Sequence, residues 1–402
     1  MKSYQLSYKL GLKNDFKRIK EGKTELLVPS VSLSEKVPPK NPAFFNPSAK
    51  WNRDVSVLIY KTYASFSKNA RTFADSICGV GARGLRTAVE VPKIDTVYLN
   101  DLNPIAIELA KESAKLNEIE NKCVFDINEV CKFLNFEQRD VRKFDIVDLD
   151  PFGSPSPYVD CVLRSVNNHG LISITATDTA VLCGVYPNVC YRKYYGFPIR
   201  TDYCNEIGIR LLVSFIALNA SRFDLSVIPY FCHNNLHYMR VYLKVVFGNS
   251  LANSVSSKIG HLKHCRNCNH RKVENLKEHN VLCEICNSKC ILAGPLWIEN
   301  LFDFEFVKET LNVLEKDEYL SSSETNYKRL LRMMQICKNE LAYPFYFETD
   351  SIASKAKKSS ISLDKVINSL IENGFKASKT IMNDKGFKTN ASSNDIINAL
   401  YK

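Results

Sequence analysis

No apolar run in the 402-residue sequence approaches the roughly 20 residues that a helix needs to span a bilayer, so a membrane-spanning helix is not expected. The opening stretch "MKSYQLSYKLGLKNDFKRIKEGK" also lacks the apolar core of a secretory signal. The expected location is therefore a reducing one, the cytoplasm, or the nucleus if the source is eukaryotic. Fourteen cysteines in such a setting are expected to bind metal or to sit in the core as thiols. No internal repeat is present, which sets aside a solenoid, and "SKAKKSSIS" is the only low-complexity stretch. Acidic side chains are the scarcer charge, 43 against 54 basic ones. The resulting net charge of +11 favours an anionic partner, with nucleic acid the first candidate.

The chain is long enough for two or three domains. Residues 1–50 read as an extended, loop-rich N-terminal arm packing on the domain that begins at 51, and the prolines of "VPPKNPAFFNP" punctuate it. From 51 to 247, short apolar runs alternate with helical stretches, the rhythm of a mostly parallel sheet with helices on both faces. Candidate strands are "TFADSIC", "TVYLND", "CVFD", "FDIVDLD", "GLISITATD", "LSVIPYF" and "YMRVYLKVVFG". Between the second and third, "NPIAIELAKESAKLN" reads as a helix with Asn103 as cap and Pro104 in its first turn. Residues 248–402 form a smaller α+β domain: the rhythm breaks, and a Cys/His-rich stretch at about 261–290 leads into a Lys/Ser-rich tail.

The chemistry starts at "CGVGARG", where Gly79, Gly81 and Gly84 follow the first strand directly. Glycines there let the backbone turn tightly and approach a nucleotide in front of a helix N-terminus. Dehydrogenases and methyltransferases both use such a loop. Asp101 ends the second strand, where a carboxylate can accept hydrogen bonds from ribose hydroxyls, and Asp126 ends the third, placed with Ile127 to read an adenine amino group. Each acid alone could be a helix cap. Taken in order with the fourth strand, they describe S-adenosylmethionine lying along the edge of a Rossmann-like sheet.

The fourth strand ends in "DIVDLDPFGSPSPYVD". Pro151 stops the ladder and leaves Asp150 and Phe152 at the tip. An exocyclic amine on a base is a poor nucleophile, because its lone pair is delocalised into the ring. A carboxylate at Asp150 can accept its hydrogen and stabilise the charge that develops, while Phe152 can stack on the base. The stretch resembles the Asp-Pro-Pro-aromatic motif of amino-group methyltransferases with one proline missing.

Together with "EGKTELLVP", "FFNPSAKWNRDVSV", "GARGLR", "TATDTAVLCGVYPNVCYRKYYGFPIRTDYCNEIGIRLL", "HYMRVYLKV", "GPLWIENLFD" and "GFKASKT", these residues resemble the family of tRNA dimethyltransferases that modify the amino group of guanine 26. The resemblance samples the chain from about Glu21 to Thr380. It implies a class I, S-adenosylmethionine-dependent enzyme that makes mono- and then dimethylguanosine. It further implies cofactor contacts at Arg53, Arg83, Asp101, Asp126 and Ile127, with Asp150 holding the target amine. Arg53 is placed by it to meet the methionine carboxylate bidentately. Phe152 and one of the pair Phe44/Phe45 are implied to sandwich the guanine; register against "NRD" favours Phe44. The alternatives are an enzyme that stops at monomethylation or accepts a neighbouring guanine, a non-catalytic tRNA-binding homologue, and a DNA amino methyltransferase. Nothing in the sequence implies an obligate protein partner.

Cys265, Cys268, Cys283 and Cys286 form two C-x-x-C knuckles, the spacing of a tetrahedral zinc ribbon, with an iron–sulfur cluster as the alternative. Four protein ligands leave no open coordination position, so the zinc is expected to be structural. His264, His270 and Cys290 lie close by as substitute ligands, and cysteines such as Cys161 and Cys183 read as small core residues. Residues 351–402 carry nine Lys against four acids, and "SLDKVINSLIENGFKASKT" reads as a helix stopped at Asn373-Gly374. A helical, winged-helix-like module gripping tRNA phosphates fits both features. Tyr186, Tyr191, Tyr194 and Tyr195, interleaved with Arg192 and Lys193, are further candidates to stack on RNA, half of them expected to be ordinary packing.

Overall fold

The computed structural model describes residues 15–67, 70–135, 143–235, 237–276, 281–317 and 324–401, so the first 14 residues of the expected N-terminal arm lie outside it. The arm opens with a hairpin, β1 (Phe16–Glu21) and β2 (Thr24–Pro29), where a mainly loop-like lead-in is expected from sequence. Helix α1 (Lys50–Phe66) comes next.

Seven strands then make one sheet: β3 (Thr72–Asp75), β4 (Thr96–Asn100), β5 (Cys123–Asp126), β6 (Phe144–Leu149), β7 (Val166–Ala176), β8 (Leu225–Asn235) and β9 (Tyr238–Phe247). Their order is β5-β4-β3-β6-β7-β9-β8. β3 pairs in parallel with β4 and β6, β4 with β5, and β6 with β7, whereas β8 and β9 are antiparallel. All six residues of β6 are buried, which is why it reads as a continuous run and not as an alternation. Pro229 is tolerated in β8 because that strand lies at the edge and its ladder slips between Pro229 and Phe231. The chain lays β4 and β5 on one side of β3 and then returns to place β6 on the other. Direction therefore reverses at the carboxyl ends of β3 and β6, where open α/β sheets bind ligands.

Between the strands run α2 (Ala82–Glu90), α3 (Pro104–Leu116), α4 (Val130–Leu134) and α5 (Val159–Ser165). The Asn103 side chain accepts the Ile105 amide at 2.9 Å, the cap expected for α3. Packing of α4 beside α5 brings Cys131 and Cys161 to a Cα separation of 5.2 Å, and the two form a disulfide. Cys161 is thus buried as expected but not a lone thiol, because its neighbour, 30 residues away, is set by tertiary packing. Among the described residues no helix is long and apolar enough to cross a membrane.

The chain divides into two compact units that interleave in sequence. The first comprises Met1–Pro151, Tyr158–Ile174 and Glu309–Leu330; the second comprises Phe152–Pro157, Thr175–Lys308 and Leu331–Lys402. Within the first, the tip of the hairpin is locked by buried charge. Glu21 takes Arg53 Nε and Nη2 at 2.6 Å each and Arg86 Nη1 at 3.1 Å. Burial alone would raise the Glu21 pKa, but the two guanidiniums hold it down at about 2.

The second unit contains helices α6 (Pro187–Tyr194) and α7 (Cys204–Ser221). It also holds the antiparallel sheet β11-β10-β12, formed by β10 (Ile259–His264), β11 (Arg271–Asn275) and β12 (Ile291–Trp297). Its carboxyl-terminal part has three helices, Thr349–Ala356, Leu363–Glu372 and Ser393–Tyr401, and a small antiparallel sheet. Ile352, Val366, Leu370, Phe387, Ala391 and Ile396 close a core of its own there.

Candidate active site

β3 ends at Asp75, and the chain turns through Gly79 and Gly81 into α2. Gly81 caps the helix in the left-handed region, φ 79° and ψ 13°. A Cβ on Gly81 would stand 2.9 Å from Ala110 Cβ, and one on Gly84 would stand 2.9 Å from Leu99 Cδ2. Only glycine therefore lets loop and helix lie this close to β4 and α3, with the helix N-terminus directed at the crevice. Asp101, next after β4, accepts the Gly79 amide at 2.8 Å and the Asn103 amide at 2.9 Å, which fixes the loop. Asp126 is the last residue of β5, and Ile127 beyond it is half-exposed. Glycine loop, Asp101 and the pair Asp126–Ile127 thus stand at the ends of three adjacent parallel strands.

Asp150 comes directly after the last residue of β6. Arg83 Nη2 donates to its Oδ2, Nη1 donates to Ser56 Oγ and to Asn52 Oδ1 at 3.2 Å, and Nε faces Asp148 Oδ1 at 3.4 Å. Tyr60 on α1, fully buried, donates to Asp148 Oδ2 and contacts Ser173 Oγ at 3.1 Å. Asp75 sits opposite Asp148 across the β3–β6 ladder and accepts the Gly84 amide at 2.9 Å. Of the three acids, Asp75 and Asp148 are sealed, whereas the Asp150 side chain keeps 27% exposure. Asp150 is consequently the one of the three that is open to solvent, and Arg83 fixes one of its oxygens.

Three carboxylates against one guanidinium leave an excess of buried negative charge. Asp75 answers it: burial foremost, then the Asp148 charge, push its pKa up to about 8, against the pull of Arg83 and the Gly84 amide. A carboxyl whose pKa is raised by folding is bound more tightly to its proton in the native state. The stability this contributes is complete below about pH 4 and is lost as pH rises towards 8. The melting temperature of Asp75→Asn should accordingly fall less than that of the wild type between about pH 5 and pH 8. Parallel pH dependences of melting for the two proteins would refute the raised pKa of Asp75.

Arg53 is buried, and its bidentate partner here is Glu21, not an open cleft. Its Nη2 also donates to the Asn46 carbonyl at 3.0 Å, so it holds down the segment that carries the phenylalanine pair. Phe45 lies in the core with the Arg53 guanidinium 5.0 Å from its ring centroid, whereas Phe44 is only partly buried. Phe152 is 57% exposed, in the turn after Pro151.

A family model described as N2,N2-dimethylguanosine tRNA methyltransferase matches residues 22–401. The chain belongs to this family. It is 36% identical over 392 residues to the tRNA (guanine(26)-N(2))-dimethyltransferase of Methanocaldococcus jannaschii, covering 96% of this chain and 98% of that one. It is 33% identical over 341 residues to the Aquifex aeolicus enzyme named tRNA (guanine(26)-N(2)/guanine(27)-N(2))-dimethyltransferase, covering 84% and 85%. Among solved structures, Trm1 from Pyrococcus horikoshii in complex with S-adenosyl-L-methionine matches with a TM-score of 0.81 at 28% identity, covering 95% of this chain and 99% of that one.

This member of the dimethylguanosine tRNA methyltransferase family carries a second constellation in its other unit. The Sγ atoms of Cys265, Cys268, Cys283 and Cys286 all lie within 4.8 Å of one another. The pairs 265/286 and 268/283 are 3.4 and 3.5 Å apart. A tetrahedron with metal–sulfur bonds of ~2.3 Å has edges of about 3.8 Å, so these donors fit one zinc ion. Both knuckles turn alike. Asn269 and Asn287, each directly after the second cysteine of its pair, adopt φ 57° and donate their amides to the carbonyls of Cys265 and Cys283. His264 bonds Tyr203 through Nδ1 at 2.8 Å and does not join the cluster.

Sequence reasoning missed Asp75, Tyr60 and Glu21 as parts of this site. Asp75 had a signal, an acid closing the first strand in front of the glycine loop. Tyr60 and Glu21 had none, being ordinary residues of a helix and a hairpin.

Proposed function

We propose that this chain transfers methyl groups from S-adenosylmethionine to the exocyclic amine of guanine 26 in tRNA, first one and then a second. The observation that carries this reading is Asp150, reachable, clamped by Arg83 and standing at the carboxyl end of β6 where the sheet reverses direction. When bound, the cofactor supplies a methyl group made electrophilic by a sulfonium. Asp101 and Asp126 are the residues to hold its ribose and adenine, beside Ile127 and the glycine loop. Arg83 acts from the same edge, and Arg53 sets the Asn46 segment in place. Asp150 accepts a hydrogen bond from the guanine amine, localises its lone pair and takes up the proton released as nitrogen is alkylated. Phe152 and Phe44 are the rings assigned to the guanine, which must leave the helical stack to be reached. The four thiolates are assigned to zinc, with a structural role because no coordination position is left open.

The Aquifex name supports one second reading, that guanine 27 is also accepted. Both are tested with radiolabelled S-adenosylmethionine and unmodified tRNA transcripts carrying adenine at position 26, at 27 or at both, followed by nucleoside analysis. Dimethylguanosine that vanishes with the position 26 change supports the main reading, and label that survives it but vanishes in the double change supports the second. Monomethylguanosine alone would revise the product, and no label in any transcript would overturn the tRNA assignment.

A further inference from the structure

The segment Val185–Arg200, some thirty residues beyond the fourth-strand motif in sequence, is absorbed by neither the methyl-transfer site nor the zinc ribbon. It contains three cations, Arg192, Lys193 and Arg200, and no acid. Four of its aromatic rings face solvent: Tyr186 is 55% exposed, Tyr191 50%, Tyr195 57% and Phe197 42%. Tyr191 lies in the last turn of α6, and Tyr195 follows the helix directly. Tyr191 and Phe197 are stacked, with centroids 4.6 Å apart and planes 11° from parallel.

The segment is fastened by hydrogen bonds to the loop of Phe152. Tyr194, buried at the inner side of α6, accepts from Ser154 Oγ at 2.8 Å and donates to Asp178 at 2.6 Å. Ser154 is two residues beyond Phe152, and Gly153 between them donates its amide to Thr177 Oγ1 at 2.6 Å. Phe197 is held from the other side by a reciprocal pair of 2.9 Å backbone bonds with Gly294. Tyr195 occupies the left-handed region at φ 55°, uncommon for a bulky residue, and ends α6 by donating its amide to the Tyr191 carbonyl at 2.8 Å. The carboxylate beside the segment, Asp178, is taken up by Tyr194 and by Lys193 at 3.2 Å, which leaves large rings held out into solvent beside Arg192, a pattern that matches the faces and phosphates of unpaired nucleotides and not a purely apolar partner.

We propose that α6 and the turn after it form a base-stacking platform that binds the tRNA nucleotides flanking the target guanine. Tyr191, Tyr195 and Phe197 take bases or riboses, and Arg192 takes phosphate. This rests on the reading of the chain as a tRNA guanine methyltransferase. The test has two arms. Steady-state methylation of a tRNA transcript by Tyr191→Ala/Tyr195→Ala should show KM for tRNA raised roughly tenfold, the size of one lost base stack, with S-adenosylmethionine affinity by calorimetry unaltered. The double Tyr→Phe variant, which keeps the rings, should stay within about twofold of wild type. In the second arm, wild-type protein is photocrosslinked to a transcript containing 4-thiouridine beside position 26, and crosslinks should map within Val185–Arg200. Unchanged KM in the alanine variant, or crosslinks confined to other peptides, would overturn the platform. A wild-type protein that methylates no tRNA would overturn the underlying reading instead. The crosslinking arm needs no turnover and decides the platform even then.

Discussion

Asp150→Ala is expected to lower kcat by roughly 10²- to 10⁴-fold while leaving S-adenosylmethionine binding close to wild type, since the role proposed for it is toward the incoming amine. Asp150→Asn should be nearly as damaging. It preserves shape and one acceptor oxygen but can neither take the proton nor stabilise the positive charge developing on nitrogen. The single-turnover rate and the calorimetric affinity for the cofactor together separate this from a binding defect. Because Arg83 would lose one partner yet keep Asp148, Ser56 and Asn52, the fold around it should survive, which melting temperature checks. A kcat within about tenfold of wild type for both variants would remove Asp150 from the chemistry.

Loss of the metal is the other large effect. Cys283→Ser/Cys286→Ser, or prolonged chelation, should strip one zinc per chain and lower the melting temperature by roughly 10 °C or more, because structural zinc affinity is folding free energy. The damage should extend past the ribbon. Lys355, on the helix Thr349–Ala356, donates to the Cys268 carbonyl at 2.6 Å, so the knuckle also supports the carboxyl-terminal part of its unit. Hydrogen exchange should therefore show loss of protection in β10–β12 and in that helix together. A variant or chelated protein that melts as the untreated wild type does would refute a structural site. Visible absorption with bound iron would identify a cluster in its place.

Much of the fold was legible because its signals are local. β5 falls on "CVFD" as read, and α3 begins at the Asn103–Pro104 cap. β6 stops before the aspartate–proline pair because a strand cannot continue through Pro151. β7 and β8 run longer than the apolar runs that announced them, since pairing with neighbours recruits polar residues such as Asn167 and Asn234 that carry no strand signal. The hairpin β1–β2 escaped for a similar reason: its pairing is closed by the turn, and its tip is held by arginines from two helices.

The site divides along the same line. Glycine loop, strand-end acids, Asp150–Pro151–Phe152 and the cysteine knuckles are spacings of a few residues, so turn chemistry and ligand count determine them from sequence alone. What only tertiary structure decided is which charges meet. Arg83 closes on Asp150 across 67 positions, Tyr60 on Asp148 across 88, and Arg53 on Glu21 across 32. Each of these side chains had several chemically acceptable partners, and a buried charge takes the one that packing brings within reach, because leaving it unpaired costs more than any local preference can offset.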